Sequence, residues 1–202
     1  MEIVCLDLEG VLVPEIWIAF AEKTGITELK RTTRDEPDYS KLMAWRMDIL
    51  REHSLTLKDI QNTISCIKPL EGAKEFLDKL RAMTQVVILS DTFREFASPL
   101  MKQLGWPTIL CNSLVVDENN MLSGMVLRQT DGKRKAIEGF RSMGFRTFAA
   151  GDSYNDLTMI HTADKGCLFR APERILLEEP DLKLCTTYDE FFNEIEAFVK
   201  AE

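Results

Sequence analysis

The sequence has few residues of the kinds that support several common catalytic sites. It contains only 2 histidines, His53 and His161, and they lie far apart, so a zinc site or Ser-His-Asp catalysis is disfavoured. The 5 cysteines include no Cys-x-x-Cys pair and lie mostly in apolar runs, which favours buried, reduced thiols over a disulfide framework. A P-loop sequence is absent, and no Gly-x-Gly-x-x-Gly follows the first predicted strand, so these nucleotide sites are not expected.

Positive charge is also scarce, because 25 Lys and Arg residues face 33 Asp and Glu residues, giving a formal net charge of -8. A nucleic-acid partner is therefore not expected, since such binding depends on basic contacts to phosphate. An anionic substrate would need a local cation and a few well-placed basic residues. No apolar run is long enough to span a membrane, and no basic flank precedes the first strand, so we predict a cytoplasmic protein.

Apolar strand-type runs alternate with amphipathic helical segments along most of the 202 residues. The predicted strands are 3–7, 85–90, 108–111, 147–150, 166–169 and 182–186. The predicted helices are 71–82, 93–104, 133–143, 154–163 and 188–200. Alternation with short connections predicts an α/β fold with a Rossmann-like parallel sheet covered by helices.

Two segments interrupt the alternation. Residues 14–68 contain only helical patterns, with a polar link from 31 to 38, and they are too long for an ordinary crossover. We interpret them as a helical cap inserted into an α/β core formed by 1–13 and 69–202. Residues 114–128 are typical of a small β-hairpin that turns at 118–120.

An acidic pair follows the first predicted strand where its apolar run ends. Asp7 is a candidate nucleophile and metal ligand, since a carboxylate at a strand end can bind Mg²⁺ with one oxygen and attack phosphorus with the other. Glu9 points the same way if the strand geometry persists, which suits a general acid/base. Gly10 then allows the backbone to approach the site closely. The alternative is an ordinary acidic strand end.

A second acidic cluster follows the apolar run 147–150, with Asp152 in a strand-to-helix turn and Asn155 and Asp156 at the start of the next helix. The carboxyl ends of strands that are distant in sequence can meet at one crevice of a parallel sheet. Repulsion opposes such a cluster unless a cation lies within it, so we expect Asp7 and Asp152 to share a metal ion. The alternative is that these residues only cap the helix.

Two further positions could contact a phosphate. Ser90 and Asp91 follow the apolar run 85–89 and precede a predicted helix, where a hydroxyl and free backbone N–H groups can form a phosphate cradle. Lys133 could place a cation on a transferring phosphoryl group. The alternatives are a helix cap for the first pair and a solvated lysine for Lys133.

Together these features resemble the haloacid dehalogenase superfamily of phosphotransferases, over essentially the whole chain. The matching residues are Asp7-Leu8-Glu9-Gly10, then Ser90, then Lys133, then Gly151-Asp152-x-x-Asn155-Asp156, in the order of that superfamily. Each motif is weak alone, and the ordered set is strong. The inserted helical cap is also similar to that of the superfamily.

The resemblance implies specific roles for these residues. Asp7 would be the nucleophile that forms an aspartyl-phosphate, and Glu9 the acid/base. The implied cofactor is Mg²⁺, held by Asp7, Asp152 and the backbone carbonyl of Glu9. Ser90 and Lys133 would bind the phosphoryl oxygens. Asp156 would support the residues that bind the metal ion without binding the ion itself.

Within the superfamily, the chain is most similar to the phosphoserine phosphatase family. Arg46 falls in a segment that resembles the stretch carrying that family's substrate-carboxylate arginine, and Glu15 is placed like its ammonium-binding glutamate. Asp91 and Asn155 complete the implied substrate contacts. From the residues alone, the preferred interpretations are a solvated helix residue for Arg46 and a first-turn charge for Glu15.

Two departures from that family's usual pattern concern the acceptor of the phosphoryl group. Glu9 stands where the family usually has Asp, and Asp91 stands where it usually has glycine. The combination resembles a variant that also transfers the phosphoryl group from phosphoserine to homoserine. The resemblance thus implies small-molecule substrates, and a homodimer is a further expectation. The alternatives are a phosphatase of another small phosphomonoester or, from a different class, a phospho-accepting receiver-like module.

Overall fold

A computed structural model describes residues 1–32, 35–36 and 38–201, and strands and helices alternate along most of that part of the chain. The strands are β1 (Glu2–Leu6), β2 (Gln85–Phe93), β3 (Thr108–Val116), β4 (Leu122–Val126), β5 (Arg146–Gly151), β6 (Lys165–Phe169) and β7 (Leu184–Cys185). The helices are α1 (Ile16–Thr24), α2 (Tyr39–Glu52), α3 (Leu57–Ser65), α4 (Ala73–Met83), α5 (Arg94–Gln103), α6 (Gly132–Ser142), α7 (Leu157–Thr162), α8 (Glu173–Glu178) and α9 (Tyr188–Lys200).

The strands form one sheet in the order β4-β3-β2-β1-β5-β6-β7. β1 pairs in parallel with β2 and with β5, although both are distant from it in sequence. The pairing of β3 with β4 is antiparallel, and the other described pairs are parallel. The sheet confirms the predicted α/β fold with a mostly parallel core.

The central strand β1 is buried on both faces, as expected for a parallel sheet covered by helices. Its side chains alternate between two apolar clusters, with Val4 and Leu6 in one and Ile3 and Cys5 in the other. The first cluster also contains apolar residues of α1, α2 and α3. The carboxyl end of β1 is therefore held firmly in the middle of the molecule.

Three helices follow β1 before the chain reaches α4 and β2. α3 packs against α1 and α5, while α2 contacts β4. These helices lie in the segment interpreted as a cap, whose boundaries at 14 and 68 remain a prediction. Positions 33, 34 and 37 of the predicted polar link lie outside the described residues.

The hairpin lies close to its predicted place, but its first strand is the continuation of the preceding predicted strand. The predicted strand 108–111 continues as β3 to Val116, so β3 pairs in parallel with β2 and then antiparallel with β4. The chain turns between Val116 and Leu122, and Asn120 adopts a left-handed φ of 63° there.

Two short elements were missed because they are too short for a clear helical period: α8 and a 3₁₀ turn at Thr27–Lys30. A second 3₁₀ turn, Tyr154–Asp156, precedes α7, so the predicted helix 154–163 begins later than expected. None of the helices that the structure describes is long and apolar enough to cross a membrane.

Candidate active site

The structure brings the two acidic strand ends together. Leu6 of β1 stands beside Ala150 of β5, and the backbone N–H of Asp7 donates to the carbonyl of Ala150 at 2.9 Å. Oxygen atoms of Asp7, Asp152 and Asp156 all lie within 4.8 Å of one another. Three carboxylates at this spacing form a hard donor set of the kind that Mg²⁺ prefers. The site of the expected metal ion therefore has suitable ligands.

Lys133 lies within this acidic cluster. Its side chain is 4% exposed, and its Nζ lies 2.9 Å from Oδ1 of Asp7 and 2.7 Å from Oδ1 of Asp156. Burial alone would lower the pKa of Lys133, but the nearby carboxylates of Asp156, Asp7 and Asp91 raise it overall. The lysine therefore stays charged, and its interpretation as a solvated residue is wrong.

The charges are not balanced by this one lysine. Burial, followed by repulsion from Asp156, holds the pKa of Asp7 well above its usual range. The same two causes raise the pKa of Asp152 to about 6. Carboxyl groups with raised pKa values lack sufficient countercharge, and a bound cation would supply it.

Asp156 organises the turn that carries Asp152. Its fully buried carboxylate accepts hydrogen bonds through Oδ2 from the backbone N–H groups of Asp152 and Ser153, each at 3.1 Å. The hydroxyl of Ser153 also donates to it at 2.9 Å. Ser153 caps the 3₁₀ turn in return, so the capping role and a site role coexist here.

Gly10 lets the backbone pass directly against Asp152. It adopts a φ of +74°, and a Cβ atom placed on it would lie 2.2 Å from Oδ2 of Asp152. No real Cβ contact is so short, so a side chain here would displace the aspartate. Gly25 supplies a matched comparison, since its φ is +76° and nothing lies within 4 Å of the corresponding Cβ position.

We expect the substitution Gly10→Ala to reduce turnover by about 100-fold, because displacing a positioned group by about 1 Å has effects of this size. Gly25→Ala should leave turnover unchanged and lose about 1 kcal/mol of stability from the left-handed backbone, and Gly10→Ala should lose more, because its Cβ also meets Asp152. Catalytic turnover and thermal unfolding measure the two effects. Equal activity of the two variants would show that the close approach to Asp152 is unimportant.

Glu9 is held by the start of α1. Its Oε2 accepts a hydrogen bond from the backbone N–H of Ile16 at 2.8 Å. Burial and then the neighbouring carboxylate of Glu15 raise the pKa of Glu9 to about 8. A carboxyl group with this pKa keeps its proton at neutral pH. Glu15 itself is the N-cap residue of α1, but its side chain makes no capping hydrogen bond.

The segment with Ser90 and Asp91 differs from its prediction. It belongs to β2, which is irregular between Leu89 and Phe93, and α5 begins only at Arg94 with no side-chain cap. The expectation that Ser90 or Asp91 caps the helix is therefore wrong, while their role in binding phosphate stays a prediction. The strand continues because pairing with β3 resumes after the irregularity, which no local pattern indicates. Ser90 is nevertheless buried.

Asp91 joins three parts of the molecule. Its carbonyl oxygen accepts hydrogen bonds from Nδ2 of Asn112 at 2.9 Å and from the hydroxyl of Tyr39 at 3.3 Å. Its carboxylate accepts a hydrogen bond from Nδ2 of Asn155 at 3.2 Å. Oδ1 of Asn112 in turn accepts from the backbone N–H of Arg128 at 3.0 Å.

Arg46 is 5% exposed, so its interpretation as a solvated helix residue is wrong. Its Nη2 donates to the carbonyl of Arg31 at 2.7 Å, and its guanidinium carbon lies 4.4 Å from the ring centroid of Trp17. Burial first of all lowers the pKa of Arg46 to about 10. Its buried Nε has no hydrogen-bond partner within the described residues. The charge of the guanidinium group is therefore incompletely hydrogen-bonded within these residues.

A cavity of about 870 Å³ connects these groups. The predicted site residues on its wall are Asp7, Glu9, Glu15, Arg46, Ser90, Asp91, Lys133, Asp152 and Asn155. Asp156 lies outside the wall, behind the turn. The prediction missed Trp17, Tyr39 and Asn112, which also line the cavity. The helical spacing of Tyr39 from Arg46 was a signal that could have identified the tyrosine.

The fold and this site define an α/β enzyme with an acidic, cation-compatible centre at the carboxyl ends of parallel strands. The family model of haloacid dehalogenase-like hydrolases matches residues 7–161, and the chain belongs to this family.

Named relatives are similar over the whole chain. The chain is 58% identical over 201 residues to "Phosphoserine phosphatase ThrH" of Pseudomonas aeruginosa, covering 100% of this chain and 97% of that protein. It is 58% identical to "Phosphoserine phosphatase" of Pseudomonas syringae pv. tomato, over 100% of this chain and 84% of that protein. A substrate-bound phosphoserine phosphatase complex has the same fold, with a TM-score of 0.77, 21% identity and 98% of each chain covered.

Proposed function

We propose that the protein hydrolyses O-phospho-L-serine to L-serine and phosphate through an aspartyl-phosphate on Asp7, in a reaction that requires Mg²⁺. The observation that carries this proposal is the position of buried Arg46, which lines the same cavity as Asp7 and Lys133 and whose Nε has no partner within the described residues. Such a cavity suits a small molecule with a phosphate at one end and a carboxylate at the other. The names of the two Pseudomonas relatives support it.

The chain's own residues supply the proposed chemistry. A carboxylate oxygen of Asp7 attacks phosphorus, and the bond between phosphorus and the serine oxygen breaks. Glu9 donates its proton to that oxygen. It then accepts a proton from the water that attacks phosphorus of the aspartyl-phosphate, the bond between phosphorus and the Asp7 oxygen breaks, and phosphate leaves. Ser90 and Lys133 stabilise the phosphoryl oxygens during both steps.

The acidic cluster would hold the Mg²⁺ ion. We assign it to Asp7, Asp152 and the backbone carbonyl of Glu9, with Asp156 behind them. When bound, the ion neutralises part of the negative charge on the carboxylates and the phosphate. The proximity of the three aspartates and the raised pKa values of Asp7 and Asp152 support this assignment.

The helical segment after β1 would recognise the amino-acid head group. Arg46 offers guanidinium N–H donors to the carboxylate, and Glu15 offers an anion to the ammonium group. Asp91 and Asn155, which are hydrogen-bonded to each other, line the same cavity. Glu9 is longer than the Asp that is usual at its position in the family, and Asp91 replaces the usual glycine. These two departures also lead us to propose phosphoryl transfer to homoserine. Once Asp7 carries the phosphoryl group, a bound hydroxyl competes with water.

A single assay tests the proposal. Chelator-treated protein is incubated with phosphoserine, with and without Mg²⁺ and homoserine, and free phosphate and phosphohomoserine are both measured. We expect phosphate release only with Mg²⁺, and phosphohomoserine only when homoserine is present. Faster turnover of p-nitrophenyl phosphate than of phosphoserine would favour the second candidate, a phosphatase of another small phosphomonoester.

Arg46→Lys separates head-group recognition from chemistry. We expect it to raise the KM for phosphoserine about tenfold or more, because lysine keeps the positive charge but loses the planar, two-pronged donor geometry of the guanidinium group. The kcat for p-nitrophenyl phosphate should hardly change. Arg51→Lys is the matched control, since Arg51 is exposed on the same helix and pairs with Asp48 at 2.6 Å. An equal loss on both substrates would contradict a role in head-group binding.

The remaining expectations stay predictions. A receiver-like module is disfavoured by membership of a hydrolase family. Cytoplasmic localisation stays a proposal from the sequence pattern, and a homodimer is a further proposal that light scattering of the purified protein tests.

A further inference from the structure

The hydroxyl of Tyr39 connects α2 to the sheet. It donates to the carbonyl oxygen of Asp91 at 3.3 Å, and Asp91 lies in the irregular part of β2 beside Ser90. Among the described residues, this is the side-chain hydrogen bond that links α2 to a strand of the core. Other described hydrogen bonds between the inserted helices and the core involve α1 and α3, such as those from the backbone N–H of Ile16 to Glu9 and from Gln61 to the carbonyl of Glu95.

Tyr39 stands on the same face of α2 as Arg46. Residues 39, 43 and 46 are spaced by four and three positions, which places them above one another on one side of a helix. Met43 and Arg46 are both buried, and Nη1 of Arg46 lies 3.8 Å from Sδ of Met43. A shift of Tyr39 would therefore move the whole face that carries the guanidinium group.

Hydrogen bonds at the N-terminus of α2 fix its first turn, and Tyr39 at the start of that turn is held with it. The N-cap residue Asp38 accepts hydrogen bonds through Oδ1 from the backbone N–H groups of Ser40 and Lys41 at 3.0 and 3.1 Å. Burial, followed by the Asp91 carboxylate, raises the pKa of Tyr39, so its hydroxyl keeps its proton and remains a donor. On the core side, Asn112 holds the same carbonyl at 2.9 Å.

We propose that Tyr39 is a positioning residue, whose hydrogen bond to the Asp91 carbonyl fixes the distance between Arg46 on α2 and the phosphoryl-binding end of the cavity. The hydrogen bond would thereby determine which head group can reach Arg46 when the phosphate of the same molecule is bound at Asp7. The proposal deepens the proposed function and rests on it for the identity of the head group. The contact of α2 with the sheet does not depend on that function.

The test uses Tyr39→Phe, which removes the hydroxyl and keeps the ring. Because one neutral hydrogen bond contributes a modest net free energy, we expect the KM for phosphoserine to rise about three- to tenfold. The kcat for phosphoserine and both constants for p-nitrophenyl phosphate, which lacks the head group, should stay within about twofold of wild type. Ser40→Ala is the matched control, since it removes an exposed hydroxyl from the same helical turn.

A double variant shows whether the effect passes through Arg46. In an Arg46→Lys background, Tyr39→Phe should raise the KM for phosphoserine much less than it does in wild type, because the positioned group is already altered. Independent effects of the two substitutions would overturn the proposal. Equal impairment of both substrates by Tyr39→Phe would also overturn it, since this would indicate a general structural role.

Hydrogen exchange supplies a measurement that does not depend on the substrate. Backbone amides of α2 should exchange several-fold faster in Tyr39→Phe than in Ser40→Ala, because α2 has lost its connection to β2. If wild-type protein does not hydrolyse phosphoserine, the proposed function fails, but this comparison still tests the connection. Unchanged exchange in α2 would overturn the proposal even if phosphoserine is the substrate.

Discussion

Replacement of Asp7 by Asn should lower the turnover of phosphoserine by about 1000-fold or more, the size of effect that follows loss of a catalytic nucleophile. An amide oxygen does not form the acyl phosphate, so the covalent intermediate should also disappear. Reactions with phosphoserine that is radiolabelled in its phosphate group are quenched with acid. The wild-type protein should then carry the label, and the variant should not. Phosphate release and hydroxylamine-sensitive labelling are the two measurements.

The fold should survive this change, which makes the result interpretable. Asp7 is buried, and Lys133 keeps its ion pair with Asp156 when the Asp7 carboxylate is removed. The matched control is Asp78→Asn, because Asp78 is exposed and pairs only with Lys74 among the described charges. Normal turnover by the Asp7 variant, or labelling of another residue, would contradict the assignment of the nucleophile.

The sequence was sufficient to predict the acidic centre because two simple rules act together there. Asp7 and Asp152 each follow an apolar run, and parallel strands place such positions at the same edge of a sheet. Only the adjacency of β1 and β5 had to be assumed, and the structure pairs them from Glu2 to Leu6. The alternation of strands and helices was likewise visible, because its periods of two and 3.6 residues are local properties.

Other features were not predictable because they arise from contacts between distant segments. The pattern around Ser90 ends like a strand, yet β2 resumes pairing at Phe93 beside Asn112 of β3. Lys133 stands among charged residues, so its local sequence is typical of a solvated helix start. Only the resemblance favoured a site role, and its ion pair with Asp7 arises from the sheet topology. Tyr39 meets the carbonyl of Asp91 across 52 positions in the chain, and no periodicity encodes that meeting.

A second large loss of turnover, after that of Asp7→Asn, is expected at Lys133. The substitution Lys133→Met keeps much of the side chain and removes the charge. Turnover should fall by about 100- to 1000-fold, the usual result of removing a group that stabilises developing negative charge. Stability should fall as well, by about 3–5 kcal/mol at neutral pH, because Asp7 and Asp156 lose the buried cation between them. Denaturant unfolding without Mg²⁺ measures the second loss.

A double variant distinguishes a charge effect from a packing effect at this position. Asp7→Asn together with Lys133→Met removes one of the two carboxylates left without a partner, so it should be more stable than Lys133→Met alone and equally inactive. Lys102→Met, at an exposed position near the end of α5, controls for the loss of a positive charge in an acidic protein. If the double variant were no more stable than Lys133→Met, packing of the aliphatic chain, and not compensation of charge, would explain why this lysine is buried.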